Sequence, residues 1–216
     1  MHLTHFGHSC VLVETSAARL LLDPGTLSEG FEHLRDLDAV LITHQHPDHA
    51  DLARLPALLA ANPHAVVLTD EGTAPAVEGL AVDGLGARVR TVRPGEELTV
   101  GGATVDVLGG AHATIYDDVP GIANVAYQVD GGAFFHPGDS LVVPDAAVDV
   151  LALPTSGPWL KLAESIDYVR AVVPRVAVPI HERAMANTRM AYTNLERFCP
   201  AGTTFTPLQA GERTAL

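Results

Sequence analysis

Apolar residues fall along this chain in short runs, separated by segments containing Gly, Pro and Asp. Runs of that length suit strands and are too short for helices. They predict strands at Cys10–Val13, Leu20–Leu22, Ala39–Thr43, Ala65–Leu68, Arg88–Val92 and Ala103–Leu108. Four more are expected at Val125–Val129, Ala133–His136, Val148–Leu153 and Val176–Ile180. Asp130-Gly131-Gly132 between two of these reads as a hairpin turn. Helical signals are fewer. Leu160–Val173 carries apolar residues at helical spacing, Asp51–Ala61 and the shorter Met190–Phe198 complete the set, and Pro56 either kinks its helix or moves the start later. Asp70–Gly86, rich in Gly, Ala and Pro, reads as a loop with a short helix.

Strands dominate the first half, and both halves finish in strand–helix alternation. Two packed sheets with helices outside satisfy that order, so the expected fold class is α/β, a four-layer αβ/βα sandwich. No linker divides the chain, which reads as a single domain, 1–216, of two similar halves, roughly 1–100 and 101–216. With 216 residues, 47% hydrophobic and 18% charged, the chain can bury a core and is neither disordered, collagenous nor coiled coil. A net charge of −13 without any Lys/Arg cluster argues against nucleic acid and anionic membranes as partners. Cys10 and Cys199 lie far apart and read as two reduced thiols. The first residues lack the basic and apolar regions of a signal peptide, and no run approaches the ~20 residues of a membrane span. The expectation is an acidic cytoplasmic protein acting on a small molecule, with a homo-oligomer left open.

The 11 histidines change this bland picture, because they are not scattered. Asp38–Thr43 reads as a buried strand that runs into His44-Gln45-His46-Pro47-Asp48-His49. Four potential ligands in six residues therefore sit at the carboxyl end of a strand, where α/β proteins place sites. Imidazole and carboxylate suit Zn²⁺, Mn²⁺ or Fe, and no thiolate suggests a closed structural zinc.

His-x-His-x-Asp-His after a hydrophobic strand resembles the signature of the metallo-β-lactamase superfamily. The resemblance implies three further ligands, in a fixed order. His112 in Gly109-Gly110-Ala111-His112, Asp139 in Gly138-Asp139-Ser140 and His181 after Val176–Ile180 fit them. It places His44, His46 and His112 on one metal, Asp48, His49 and His181 on the second, and Asp139 between them. The implied cofactors are two divalent ions, zinc first, with manganese, iron or nickel also accepted. The implied activity is hydrolysis of a small ester, lactone or phosphodiester by a metal-bound, bridging hydroxide. The runner-up readings are a nuclease-like phosphodiesterase and a metal-binding protein without turnover.

Phe6-Gly7-His8-Ser9-Cys10, with Leu22-Asp23-Pro24-Gly25 after the next strands, is similar to the branch that includes ascorbate-6-phosphate lactonase. Asp48 and His8 are then the candidate catalytic groups. His8 reads either as a neighbour of metals or substrate, or as a histidine satisfied by backbone. Asp23 reads as a buttress of the metal loop, and His136 as structural. His2, His5, His33 and His64 read as surface or packing residues. Tyr116, beside Asp117 and Asp118, and Trp159, the sole tryptophan, are candidate substrate contacts, although packing explains Trp159 equally well. Other branches carry features not seen here: a signal peptide, an added C-terminal region, an RNA-binding arm, or an acidic residue where His46 stands.

Overall fold

A computed structural model describes all 216 residues. The first half supplies strands β1 (His2–His5), β2 (Val11–Glu14), β3 (Arg19–Leu22), β4 (Ala39–Ile42), β5 (Val66–Thr69) and β6 (Val89–Thr91). The second supplies β7 (Glu97–Val100), β8 (Ala103–Gly109), β9 (Val125–Val129), β10 (Phe134–His136), β11 (Val150–Pro154), β12 (Val176–Ile180) and β13 (Thr204–Phe205). A last strand, β14 (Arg213–Ala215), returns to the first sheet and pairs with β1. The helices are α1 (Leu55–Ala61), α2 (Ala74–Glu78), α3 (Leu162–Val172) and α4 (Arg189–Phe198). None is long and apolar enough to cross a membrane.

Two seven-stranded sheets result, ordered β14-β1-β2-β3-β4-β5-β6 and β13-β12-β11-β10-β9-β8-β7. Each begins as antiparallel hairpins, β1 to β3 and β7 to β10. Each then continues in parallel, β3 to β6 and β10 to β13. The helices sit in the parallel crossovers, which places them on the outer faces.

The period-2 alternation of strand side chains sorts the core into three interfaces. Leu20, Leu22 and Leu41 face inward against Tyr127, Phe134 and Val150 of the other sheet. Their neighbours Leu21, Val40 and Ile42 face outward onto Phe31 and α1 through Leu55, Leu58 and Leu59. On the far side Phe135, Leu151 and Leu153 meet Tyr168 and Val169 of α3 and Leu195 of α4. Four layers with three apolar seams are the sandwich expected from the strand–helix order. Truncating a fully buried leucine here, such as Leu41→Ala, costs about 2–5 kcal/mol. The Tyr127 hydroxyl lies 3.0 Å from both the Ile42 and Leu68 carbonyl oxygens, tying the second sheet to the ends of β4 and β5.

Several boundaries differ from the sequence expectations. Pro56 moves the helix start rather than kinking it, because Pro is tolerated in the first turn, where its missing N–H is not needed. Asp70–Gly86 does contain a short helix, α2. The turn at Asp130–Gly132 does join β9 to β10, with Asp130 and both glycines at positive φ. Four strands were not expected: β1, β7, β13 and β14. They are two to four residues long and mixed in polarity, too short for even the alternation of β7 to stand out as a periodic signal, and each pairs with a neighbouring strand of an established sheet.

Candidate metal centre

Strand directions gather the histidines. The pairing pattern points β1 and β4 the same way, and likewise β8, β10 and β12. The segments leaving their carboxyl ends carry His8, the His44–His49 loop, His112, Asp139 and His181. His8, His44, His49, His112, Asp139 and His181 are buried, while His46 and Asp48 are partly exposed. They fall into two clusters of ligand atoms, one of His44, His46, His112 and Asp139, the other of His8, His49 and His181.

Hydrogen bonding on the outer side of three rings, His44, His112 and His49, fixes which nitrogen faces in. The Thr43 hydroxyl donates to Asp23 Oδ2 at 2.8 Å, so its oxygen accepts from His44 Nδ1 at 3.0 Å. His44 Nε2 therefore presents a lone pair, 3.0 Å from His46 Nδ1. His112 Nδ1 donates to the Ala113 carbonyl at 2.6 Å, which leaves an Nε2 lone pair 3.1 Å from Asp139 Oδ2. His49 Nδ1 donates to Asp23 Oδ2 at 2.7 Å, and its Nε2 faces Asp139 Oδ1 at 3.0 Å. His181 Nε2 and Asp139 Oδ1 lie 3.1 Å apart, yet both are buried without a hydrogen-bond partner.

Lone pairs packed around a carboxylate repel unless positive charge sits among them. Three groups show the same need. Burial lowers the His44 imidazole well below its ordinary range, with the neighbouring His49 adding to it. Burial also opposes charge on His49, but the Asp139 and Asp23 carboxylates override it and hold His49 well above its ordinary value. Burial likewise works against an ionised Asp139, and His49 and His181 override it to keep the carboxyl well below the usual range. Imidazole and carboxylate oxygen form a donor set suited to divalent transition metals, and neither cysteine enters either cluster. The residues fit metal cations.

The buttressing is dense. Asp23, fully buried and at positive φ, receives the Thr43 N–H and hydroxyl as well as His49. Asn124 accepts the Asp139 N–H at 3.0 Å and donates to Pro137 at 2.9 Å, holding the turn that carries Asp139. Gly138 at φ +60 belongs to that turn, and a Cβ there would sit 2.3 Å from Asn124 Oδ1. Gly25 passes so close that a Cβ would lie 1.7 Å from the Asp48 carbonyl oxygen. His136 is structural: Nε2 donates to the Ser9 carbonyl at 3.0 Å and Nδ1 accepts the Gly138 N–H at 3.1 Å.

Three expected site residues sit differently from one another. Asp48 belongs to neither ligand cluster; its Oδ2 meets His8 Nε2 at 2.9 Å. Burial disfavours the Asp48 charge, but the bond to His8 wins and lowers its carboxyl to about 2. Trp159 is buried and donates its indole N–H to Asp139 Oδ2 at 2.6 Å. Tyr116 is exposed and lines a cavity of about 350 Å³ that opens beside His46 and His112. Of the histidines read as surface or packing, His33 and His64 are exposed, while His5 is buried and bonds the His8 carbonyl at 3.0 Å. Asn124, Thr43 and Glu182, which accepts the His8 N–H at 2.9 Å, were missed, since a lone polar residue gives no local signal of a distant partner.

Comparison with known proteins agrees with this geometry. Residues 2–181 match the family model of the beta-lactamase superfamily domain. Protein Rv0786c of Mycobacterium tuberculosis is 49% identical over 190 residues, spanning 86% of this chain and 86% of that protein. A UPF0173 metal-dependent hydrolase of Methanosphaerula palustris is 28% identical over 198 residues, 84% of this chain and 83% of its own length. Igni18, a metallo hydrolase from Ignicoccus hospitalis, shares the fold with a TM-score of 0.76 at 18% identity, over 99% of this chain and 97% of that one.

Proposed function

The chain belongs to the metallo-β-lactamase superfamily, and from that premise we propose that it is a metal-dependent hydrolase of small neutral esters or lactones. The observation that carries the reading is the convergence of His49, His112 and His181 nitrogens on the buried Asp139 carboxylate, with Asp139 Oδ1 and His181 Nε2 left without a hydrogen-bond partner. The two halves of the chain act as one domain in this reading, since 1–100 contributes His44, His46 and His49 and 101–216 contributes His112, Asp139 and His181.

His44, His46 and His112 would hold one cation, His49 and His181 would contribute to the second, and Asp139 would reach both through its two oxygens. Zinc is the first candidate, with manganese, iron or nickel accepted by the same donors. When bound, two such ions supply a water acidified to near-neutral pH and an electrophile for the scissile carbonyl oxygen. The remaining work belongs to the protein. Asp23, Thr43 and the Ala113 carbonyl hold the Nδ1 protons of His49, His44 and His112 outward, so that these three imidazoles turn Nε2 toward the centre. Asp48, partly exposed and ionised, offers an acceptor that orients a water at the mouth of the centre.

Substrate chemistry is read from the cavity. Ile115, Tyr116, Val119 and Ile122 face it opposite His46 and His112, Asp117 adds a negative charge, and no Lys or Arg lines it. An apolar wall without cations favours an uncharged acyl group or ring over a phosphodiester, whose negative charge would meet Asp117 unpaired.

The test is turnover of matched aryl esters, lactones and aryl phosphodiesters by zinc- and manganese-loaded protein. Esters or lactones should be hydrolysed with the higher kcat/KM, and His46→Ala should abolish turnover with the fold intact. Metal-replete protein that turns over neither class, or an unchanged His46→Ala, would sink the reading.

A further inference from the structure

The signature implies that Asp48, His49 and His181 share a metal, yet the side chains that come together are His8, His49 and His181. We propose that His8 is a ligand of the second cation, alongside His49, His181 and Asp139 Oδ1, and that Asp48 is the hydrogen-bond partner that orients it. This rests on the two-cation reading above.

Four observations support it. The three ring nitrogens lie within 4.8 Å of one another, close enough to share one ion, and Asp48 is outside the group. The His8 ring meets Asp48 Oδ2 through Nε2 while its other nitrogen, Nδ1, is buried without a partner. A metal-binding imidazole typically gives one nitrogen to the ion and the other to a carboxylate, and His8 with Asp48 supplies that pair. Finally, His8 is fixed more firmly than a loop residue needs to be. Its N–H is held by Glu182 at 2.9 Å, and its carbonyl by the His181 N–H and His5 Nε2, each at 3.0 Å. Both His8 and His181 occupy the left-handed region, at φ 55 and φ 68, a costly backbone state for non-glycine residues that concentrates at functional sites.

Replacement separates the roles. Zinc content after equilibrium dialysis should be two equivalents in the wild type and one in His8→Asn. Asparagine tolerates the left-handed backbone, and His8→Gly, which meets no strain there, guards against misfolding. Asp48→Asn should keep two equivalents, the second bound roughly 10–100-fold more weakly. Paramagnetic proton spectra of the cobalt-loaded wild type give a readout without mutation, one shifted exchangeable N–H per bound imidazole. Six are expected, from His44, His46, His112, His8, His49 and His181. Five signals, two zinc equivalents in His8→Asn, or one in Asp48→Asn would overturn the assignment. A wild type holding fewer than two equivalents would overturn the two-cation reading itself, and this inference with it.

Discussion

The backbone N–H of His181 donates to the carbonyl oxygen of His8 at 3.0 Å, so the two halves of the chain are joined at the candidate metal centre. Glu182 completes the lock by accepting the His8 N–H. Removing that acceptor should loosen His8 without touching a candidate ligand. Glu182→Ala is expected to weaken metal binding about tenfold, while Glu182→Gln, which keeps an acceptor oxygen, should stay close to wild type. Competition against a chromophoric chelator measures both. Equal affinity in all three proteins would show that the lock does not position the histidine.

Trp159 reports on the centre directly. Its indole N–H is bonded to Asp139 Oδ2, and it is the sole tryptophan, so any change in emission has one source. Metal bound at Asp139 changes the charge on the oxygen that the indole contacts, and tryptophan fluorescence should shift or quench with saturation at the metal stoichiometry. Trp159→Phe keeps an aromatic ring and removes the donor. Its metal affinity should fall roughly 10–100-fold, as for other groups that orient a ligand. An emission spectrum unchanged by saturating metal would contradict this arrangement.

What the sequence revealed, and what it hid, follows from how far each signal reaches. β9 and β12 have the bounds that their apolar runs predicted, because a buried parallel or central strand writes itself into consecutive residues. The His44–His49 cluster is equally local. His112, Asp139 and His181 became visible only through the resemblance. The supports were hidden because each is a single polar residue whose partner is remote in sequence: Asn124 for Asp139, Glu182 for His8, Trp159 for Asp139. Nor could spacing show that Asp48 would turn toward His8, since the two are 40 residues apart and meet only once the β1–β2 loop and the loop after β4 are brought together.

Arg54 is another such residue. Its guanidinium contacts Asp51 Oδ2 at 2.5 Å, Glu32 Oε1 at 2.6 Å, and the Ser28 and Gly25 carbonyls at 2.8 and 2.7 Å. It thereby braces the loop whose Thr26 N–H bonds Pro47 of the histidine segment. Arg54→Met should destabilise the protein by about 2 kcal/mol at neutral pH, the range for charge-assisted hydrogen bonds. Burial tends to raise both carboxyls, but bonding wins and lowers them, to Arg54 first for Asp51, and to its own backbone N–H and then Arg54 for Glu32. Lowered carboxyls stabilise above their unfolded values near pH ~4, and that stabilisation is lost as pH falls through the folded values. Urea unfolding should therefore show the wild-type advantage over Arg54→Met shrinking below about pH 4. A pH-independent difference would assign the loss to packing over Phe31 instead.

Metal uptake itself should be linked to protons, and His49 sets the sign. Burial pulls this imidazole toward neutrality, yet Asp139 and Asp23 together hold it protonated well above its ordinary value in the metal-free chain. Its Nδ1 proton is committed to Asp23, so the proton a cation must displace is the one on Nε2, facing Asp139. Binding at neutral pH therefore releases a proton from His49, and affinity should fall as pH drops, about tenfold per unit for each proton released. Calorimetry in buffers of different ionisation enthalpy counts that proton. Asp23→Asn removes one of the two carboxylates that raise His49, so its imidazole becomes easier to deprotonate. Fewer protons should then be released on binding at the same pH, and the pH slope should flatten even though the weaker support lowers overall affinity. Proton release unchanged by Asp23→Asn would show that another group supplies the proton, and no release in the wild type would mean that His49 is already neutral before metal arrives.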